Sequence, residues 1–221
     1  MNRLLSKKFN CKLILKKCIF IFLDSLGIFL SFFSKIFNLI NFLYIHIYSS
    51  YIKNRLGKCG DNLRTKFPLY LIGENKISIG NNFTSFRRNR IEVFGKILEK
   101  DYNGKLIIGD NFSMNDDCHI ACINKITIGN NVLFASKIFI TDHFHGEINK
   151  ENFLKPPYLR PLYSKGEVII KDNVWVGESV VILPGVTIGE NCVIGANSVI
   201  TKSFPKNSII GGNPAKLIRS I

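Results

Sequence analysis

The chain has 221 residues, enough for one substantial domain with an appendage, and a formal net charge of +14. A charge of this size is typical of proteins that bind nucleic acid or an acidic membrane surface. No helix-turn-helix, zinc-finger or aromatic-basic RNA-binding motif accompanies the charge, so nucleic acid is not an expected partner. The six cysteines show no paired spacing, which excludes a disulfide framework and favours free thiols in a reducing compartment.

Residues 1–56 form a first predicted region. Its start, residues 1–17, is basic through Arg3, Lys7, Lys8, Lys12, Lys16 and Lys17. Residues 18–52 are crowded with Phe, Leu and Ile and carry only Asp24 and Lys35 as formal charges. Because Asp24 interrupts the apolar run and no small-residue cleavage site follows, a signal peptide is not expected.

A single membrane-spanning helix also fits this region poorly. The longest uncharged run, residues 36–52, has seventeen residues and contains Asn38, Asn41 and His46. Since both flanks are basic, both ends are predicted on the cytoplasmic side. We therefore predict a pair of helices lying in the inner leaflet, which would make the protein a peripheral protein of the cytoplasmic face of the cell membrane. A helical collar packed on the rest of the chain or on a partner subunit remains the alternative.

Residues 57–221 form the second predicted region, in which apolar residues recur every six positions. The early repeats are imperfect and become regular at Ile108, Met114, Ile120, Ile126, Val132 and Ile138, with IGDN or IGNN at the corners, where Gly and Asn tolerate positive φ. Residues 96–104 interrupt the six-residue period and predict a protruding hairpin that turns at Asn103-Gly104. Residues 141–167 break it again and predict an inserted loop, which in a regular scaffold is commonly functional.

The repeat is most regular between residues 168 and 200, where two ladders run in steps of six. The first comprises Ile170, Val176, Ile182, Ile188, Ile194 and Ile200, and the second Val168, Val174, Val180, Val186, Cys192 and Ser198. A period of six suits a short strand followed by a tight corner, and three such strands close a triangular coil of eighteen residues. Helical crossovers of an α/β domain would not fit between the strands. The last residues, PAKLIRSI, predict a short C-terminal helix that covers the open end of the solenoid.

The stretch from Asp172 to Ile221, DNVWVGESVVILPGVTIGENCVIGANSVITKSFPKNSIIGGNPAKLIRSI, resembles the end of the hexapeptide-repeat acyltransferases, and most closely the sugar O-acetyltransferases. The resemblance covers residues 57–221 and implies an all-β solenoid, a left-handed parallel β-helix. It further implies acetyl-CoA as co-substrate, a saccharide as acceptor, and a homotrimer whose active sites lie in the clefts between subunits.

The inserted loop holds the candidate catalytic base. Transfer of acetyl from a thioester to a hydroxyl needs a base, and histidine suits this role near neutral pH. The resemblance implies that His143, in TDHFH, is that base, with His145 as the alternative. It also implies an acceptor-binding role for Asn115, expected two coils upstream on the same side of the prism, while Asp142 orients the base or caps a turn.

The candidate donor site is also implied by the resemblance. Trp175 matches a tryptophan that lines the catalytic channel, and backbone N–H groups near Gly177 are expected to stabilise the oxyanion. The positions that match coenzyme A contacts are Ala196, Thr201, Lys202, Lys216 and Arg219. Glu178 departs from the pattern, because the galactoside enzymes have serine there.

The sequence therefore predicts an acetyl-CoA-dependent O-acetyltransferase acting on a sugar hydroxyl of a bacterial surface polysaccharide or its lipid-linked precursor. No metal is expected, because Cys118, His119 and Cys122 straddle a strand and its corner, and a hydratase site would need His119, His143 and His145 together. N-acetylation of a nucleotide-linked amino sugar, O-acetylation of serine, and a non-catalytic membrane-tethered scaffold remain the alternatives.

Overall fold

The computed structural model describes the backbone of residues 2–97 and 99–221, and the side chains of residues 16, 17, 19–97 and 99–221. Arg3, Lys7, Lys8, Lys12 and two of the cysteines, Cys11 and Cys18, therefore lie outside the described side chains. The chain divides into two compact units, Met1–Tyr44 and Ile45–Ile221.

The first unit and the start of the second share one continuous α-helix, α1 (Asn2–Lys53). The predicted pair of helices is therefore wrong. The segment contains no proline, and the cost of Gly27 inside a helix, about 1 kcal/mol, does not suffice to end it. Large apolar side chains along residues 19–44 are exposed, and Ile19–Lys53 is long and apolar enough to cross a membrane by length and composition alone.

The second unit is a β-helix whose coils each contribute three short strands. In chain order these are β1 (Lys58–Cys59), β2 (Arg64–Thr65) and β3 (Leu69–Ile72) of coil 1; β4 (Ile77–Ile79), β5 (Thr84–Ser85) and β6 (Asn89–Val93) of coil 2; then, after β7 (Lys96–Ile97) and β8 (Lys100–Asp101), β9 (Lys105–Ile108), β10 (Ser113–Met114) and β11 (His119–Cys122) of coil 3; and β12 (Lys125–Ile128), β13 (Leu133–Phe134) and β14 (Phe139–Thr141) of coil 4. A single 3₁₀ turn, Glu74–Lys76, precedes β4.

The inserted segment between coils 4 and 5 contains its own short elements. They are β15 (Phe144–His145), α2 (Lys150–Phe153), a 3₁₀ turn (Pro157–Leu159) and β16 (Leu162–Tyr163). The regular path resumes with β17 (Val168–Ile170), β18 (Trp175–Val176) and β19 (Val181–Ile182) of coil 5; β20 (Thr187–Ile188), β21 (Val193–Ile194) and β22 (Val199–Ile200) of coil 6; and β23 (Ser208–Gly211) followed by β24 (Lys216–Ser220).

Equivalent strands of successive coils stack in parallel and form three faces. Face A consists of β1, β4, β9, β12, β17 and β20, face B of β2, β5, β10, β13, β18, β21 and β23, and face C of β3, β6, β11, β14, β19 and β22. Both six-residue ladders point inward: Ile170 and Val168 are fully buried, and so are their successors along each ladder. The predicted solenoid and its eighteen-residue coil are confirmed, with Ile170 pairing to Ile188.

The corners are stabilised by hydrogen bonds that run from coil to coil. At the A–B corner an asparagine of each coil has a positive φ and its side-chain amide donates to the asparagine of the next coil; the ladder comprises Asn62, Asn82, Asn111, Asn131, Asn173, Asn191 and Asn207. The expectation of positive φ is thus met by these asparagines and not by the preceding glycines. A Cβ on Gly80 would lie 2.7 Å from the Gly109 backbone carbon, so glycine is needed there for close stacking.

Both ends of the β-helix are covered. At the first coil, the last turns of α1 pack on the strands: Ile52 is buried, Ser49 Oγ accepts a hydrogen bond from the Thr65 N–H at 2.9 Å, and the Tyr48 hydroxyl accepts from the Leu69 N–H at 3.0 Å. At the other end, β24 pairs antiparallel with β23. The predicted C-terminal helix is therefore wrong, because the free strand edge is covered by a strand that supplies the missing backbone partners.

Two excursions leave the coils on the same side. The first is the predicted hairpin, formed by β7 and β8, but its connection lies between Ile97 and Lys100 and not at Asn103-Gly104. The second is the inserted segment, in which β15 and β16 pair antiparallel. The two excursions pack together through a small apolar cluster of Tyr102, Ile123 and Leu162, and the Tyr102 hydroxyl donates to the Leu162 carbonyl at 3.3 Å.

Candidate active site

His143 lies at the C–A corner of coil 4, two residues after the end of β14, where the inserted segment begins. Its Nδ1 lies 3.0 Å from Asp142 Oδ1, and its side chain is only 10% exposed. The ring packs edge-on against Phe94, with 6.1 Å between centroids. The β-helix thus fixes the imidazole through one nitrogen and leaves Nε2 to face a reactant.

Asp142 is fully buried and accepts several hydrogen bonds. Its Oδ1 accepts from the Ile123 N–H at 2.9 Å as well as from His143, and its Oδ2 accepts from the Asn124 N–H at 2.8 Å. Burial alone would raise the pKa of Asp142, but the hydrogen bonds from His143, Ile123 and Asn124 outweigh it, so the pKa is lowered. Asp142 is therefore a carboxylate that holds the Nδ1–H tautomer of His143, and it also ties the insertion to coil 3.

Cys122 belongs to this cluster, although nothing in the sequence places it there. Its thiol is buried and donates to Asp142 Oδ2 at 3.2 Å. Burial, and then the charge of Asp142, raise the pKa of Cys122 far above its ordinary value. A thiol that stays protonated is a poor nucleophile, so the geometry gives no support to a covalent acyl-cysteine route.

His145 lies in β15, and its side chain is exposed. Its backbone pairs with Leu162, so the strand and not a buried carboxylate fixes its position. Of the two histidines of TDHFH, only His143 has an acidic partner among the described residues.

Asn115 lies one coil before His143, not two, and at a different corner. It follows β10 at the B–C corner, where its N–H donates to the Phe134 carbonyl at 3.1 Å. His143 lies across face C, and an extended run of about six residues separates the two corners by roughly 20 Å. The expectation that one chain brings them to the same side of the prism is wrong, because the strand of face C lies between them.

Several candidate donor residues cluster on or beside face B. Trp175 points outward from β18, is 53% exposed, and has exposed Leu133 beside it on β13. Ala196 lies at the B–C corner of coil 6, and Lys216 and Arg219 lie on β24, which extends face B. Large exposed apolar side chains on a β-helix face are typical of a ligand-binding or subunit surface.

Gly177 cannot stabilise an oxyanion through its own N–H, because this group donates to the Ile194 carbonyl at 2.9 Å. The Gly177 N–H belongs to the coil-to-coil ladder, and a Cβ there would lie 2.8 Å from the Ala196 nitrogen, so the predicted oxyanion donor near Gly177 has to be a neighbouring N–H. The next residue offers a better donor. At the B–C corner, the Arg87 N–H is capped by Asp116 and the Ser136 N–H by Glu178, each from the following coil.

The capping alternates from coil to coil: among the described residues no hydrogen bond is found for the Asp116 N–H of coil 3, and the same holds in coil 5. The residue stacked after Glu178 is Ala196, which has no acceptor side chain, and across residues 99–221 no hydrogen bond is described for the Glu178 N–H. This N–H, three residues after Trp175, is therefore a backbone donor for which the described part of the chain supplies no acceptor. The carboxylate of Glu178, the residue that departs from the family pattern, accepts a hydrogen bond from the Ser136 N–H at 3.0 Å.

Thr201 and Lys202 lie at the C–A corner, on the same side as His143. Strand register aligns Thr201 with Thr141 through Leu183, two coils apart, which corresponds to about 10 Å along the axis. The Lys202 ammonium lies 5.8 Å from the Phe204 ring centroid. The candidate residues thus form two groups, one at the C–A corner and one on face B with its B–C corner, and one chain does not join them.

Glu92 and His119 are site residues that the sequence did not indicate. They lie on β6 and β11 of face C, whose strands lead toward the corner that holds His143, and Glu92 Oε2 is 2.9 Å from His119 Nε2. In the sequence, His119 stands out only as one ligand of a metal site that is not expected to form. Across the described residues, no group of three His, Cys, Asp or Glu side chains could hold a metal ion.

Comparison with known proteins places this chain in one class. Residues 167–202 match the family of bacterial transferase hexapeptide (six repeats). The chain is 42% identical over 158 residues, 70% of its own length and 76% of the relative's, to an Escherichia coli (strain K12) protein named as lipopolysaccharide biosynthesis O-acetyl transferase WbbJ. It is 41% identical over 123 residues to galactoside O-acetyltransferase of the same organism, covering 54% of this chain and 56% of that protein.

Solved structures agree with this class. A maltose O-acetyltransferase from Clostridium difficile 630 has a TM-score of 0.53 and 30% identity over 77% of this chain and 72% of that one. A galactoside acetyltransferase in complex with coenzyme A has a TM-score of 0.51 and 31% identity over 78% and 68%. The chain belongs to the hexapeptide-repeat transferases. Within that class it belongs to the acetyltransferases, and its left-handed β-helix is confirmed.

Proposed function

We propose that the protein transfers acetyl from acetyl-CoA to a sugar hydroxyl during synthesis of a bacterial surface polysaccharide. The observation that carries this proposal is the His143–Asp142 pair, fixed at the mouth of the insertion in a chain of this family. The relatives named for lipopolysaccharide and colanic acid biosynthesis support the substrate class. Purified protein should release free coenzyme A thiol only when acetyl-CoA and a saccharide are both present; acceptor-independent release alone would contradict the proposal.

The reaction follows directly from the geometry. His143 Nε2 takes the proton of the acceptor hydroxyl while the hydroxyl oxygen attacks the thioester carbonyl. The imidazolium that forms is stabilised by the Asp142 carboxylate at Nδ1. The Glu178 N–H faces the oxyanion, and collapse of the tetrahedral intermediate expels the coenzyme A thiolate, which takes the proton back from His143. The products are the O-acetyl sugar and the free thiol.

A homotrimer is part of the proposal. His143 and Lys202 lie on one corner of the prism, while Trp175 and the Glu178 N–H lie on face B and its far corner. Because a thioester must reach both groups at once, a second copy has to supply the face B residues to His143 of the first. Parallel packing of three prisms provides three such clefts.

The phosphates of coenzyme A are expected near Lys202, Lys216 and Arg219, which are exposed cations at the C-terminal end of the β-helix. Lys202→Ala and Arg219→Ala should each raise the KM for acetyl-CoA by roughly 3- to 10-fold. The effect should shrink at high salt, because phosphate contacts at a surface are screened. Lys171→Ala, at the A–B corner, is the matched control; equal KM values for all variants would contradict the assignment.

The cytoplasmic face of the cell membrane is the proposed location, with a lipid-linked saccharide as acceptor. The distribution of charged residues along the chain supports this membrane location. Residues 45–93 carry nine Lys or Arg and three Asp or Glu, whereas residues 94–221 carry fourteen and twelve. The exposed cations Lys58, Arg64, Arg87 and Arg90 thus concentrate on coils 1 and 2, at the same end as the last turns of α1. Anionic lipid headgroups suit such a surface, and exposed apolar residues 19–44 suit the acyl chains.

Truncation tests the anchor, and the structure fixes where to cut. Removal of residues 1–44 should release the protein from the membrane fraction while transfer to soluble acceptors persists, because the cap formed by residues 45–53 remains. Removal of residues 1–55 should lower Tm by about 5–10 °C, since burial of Ile52 and the hydrogen bonds of Tyr48 and Ser49 are lost. Continued membrane association of the shorter deletion would contradict the anchor.

A further inference from the structure

Two histidine–carboxylate pairs lie on or beside face C, one toward each end of its strands. The first, His143 with Asp142, has been assigned above. The second joins His119 Nε2 to Glu92 Oε2 at 2.9 Å, and the same oxygen accepts from Arg90 at 2.8 Å. His119 belongs to β11 of coil 3, where it pairs with Phe139 of coil 4, and His143 follows β14 four residues later, so the two histidines lie on neighbouring coils at opposite ends of face C, with their backbones roughly 13 Å apart along the strand.

The second pair joins coil 2 to coil 3, but it adds to a ladder of contacts that is complete without it. Side chains of strand residues with this orientation point away from the core, and the coil-to-coil bonds are made by the backbone and by the corner residues. Glu92 nevertheless is only 7% exposed, whereas Arg90, two residues earlier on the same strand, is exposed. Pairing with Arg90 and His119 offsets the cost of covering this charge, so the outward side of β6 and β11 carries a fixed polar cluster in which the His119 ring is held in one orientation.

The protonation states follow from the contacts. Burial opposes ionisation of Glu92, but the hydrogen bonds from Arg90 and His119 outweigh it and lower its pKa. Burial lowers the pKa of His119 in spite of the neighbouring carboxylate, with the positive charges of Arg90 and His143 acting in the same direction. His119 is thus neutral near pH 7, with hydrogen on Nε2 and a lone pair on Nδ1. No hydrogen bond to Nδ1 is described from residues 2–97 or 99–221.

We propose that His119 determines acceptor specificity: its Nδ1 accepts a hydrogen bond from a second hydroxyl of the sugar whose reacting hydroxyl lies at His143. The inference rests on the proposed function. Glu92 is the positioning residue that fixes the His119 tautomer, as Asp142 does for His143. The His119 ring, 28% exposed at its side chain, packs at 5.1 Å from the Phe139 ring and so presents a fixed edge. Two acceptor nitrogens toward opposite ends of face C would select a saccharide whose two hydroxyls have a matching separation.

The test compares acceptor kinetics of His119 variants in the full-length protein. His119→Phe keeps a flat ring but removes the acceptor atom, and should raise the acceptor KM roughly tenfold while the KM for acetyl-CoA stays unchanged. His119→Gln can donate to Glu92 and still accept through its amide oxygen, so its acceptor KM should stay within about threefold of the wild type. Tyr70→Ala, an exposed residue of coil 1 on the same face, is the control.

Acceptor analogues that each lack one hydroxyl identify the partner. One of them should bind equally well to the wild type and to His119→Phe, because the interaction is already absent. An unchanged acceptor KM in His119→Phe, or an equal loss in His119→Gln accompanied by a fall in Tm, would overturn the inference and leave the acetyltransferase intact. Absence of any acceptor-dependent transfer by the wild type would overturn the proposed function itself, and the inference with it.

Discussion

Replacement of His143 with Ala is expected to lower kcat by about 10² to 10⁴, the usual cost of removing a general base. The variant should fold and bind acetyl-CoA normally, because Asp142 keeps its hydrogen bonds from Ile123, Asn124 and Cys122. Initial rates with saturating acetyl-CoA, together with the Tm of the variant, measure both effects.

His145→Ala is the control for this prediction. It removes an exposed imidazole two residues away and should leave kcat within a few-fold of the wild type. The opposite pattern, an inactive His145→Ala and an active His143→Ala, would show that the general base is His145 and not His143.

Asp142→Asn should impair both activity and stability. The asparagine amide keeps one acceptor oxygen, but its NH₂ group would face N–H groups of Ile123 or Asn124, which are themselves donors. The variant should therefore lose about 2–3 kcal/mol of folding free energy, and its Tm should fall by about 5–10 °C. The kcat should fall because the His143 tautomer is no longer held, with little change in the KM for acetyl-CoA. Asp172→Asn is the matched control, because Asp172 accepts a hydrogen bond from the Asn130 N–H at an exposed corner of the β-helix. Its kcat and its Tm should both fall less than those of Asp142→Asn.

The stability loss should depend on pH with a definite sign. Because the folded-state pKa of Asp142 is lowered, its charge stabilises the native state above the unfolded-state pKa of about 3.9, and this contribution is lost as pH falls through the folded-state value. The difference in Tm between the wild type and Asp142→Asn should therefore be largest near neutral pH and shrink in acid. A constant difference would mean that Asp142 is not ionised in the folded protein.

The coil architecture could be read from the sequence because it repeats. Every member of the ladders from Val168 to Ile200 is buried, since a six-residue period admits only one inward face. The structures of the N-terminal and C-terminal segments could not be predicted from a repeat. Residues 216–220 were expected to be helical from their local pattern, but the unpaired edge of β23 selects a strand. Likewise, Asn38 and Asn41 do not interrupt α1, because polar residues without proline are compatible with a continuous helix.

The site could be predicted from the sequence only where its residues are neighbours in the chain. His143 and Asp142 are adjacent in the chain, so their pairing required no knowledge of the fold. Glu92, His119 and Cys122 reach the same place only through stacking of coils 2, 3 and 4. The sequence indicated N–H groups near Gly177 but not which of them is free, since only the alignment with Ser136 and Ala196 shows that the Glu178 N–H lacks a cap.

The most direct measurement is the chemical identity of the product formed by the purified wild type from acetyl-CoA and a saccharide acceptor. Mass spectrometry should show the gain of one acetyl group, and mild base, which cleaves esters and spares amides, should remove it. The same product should be absent with His143→Ala. An acetyl group that survives mild base would identify N-acetylation, and unmodified saccharide with the active wild type would contradict the account altogether.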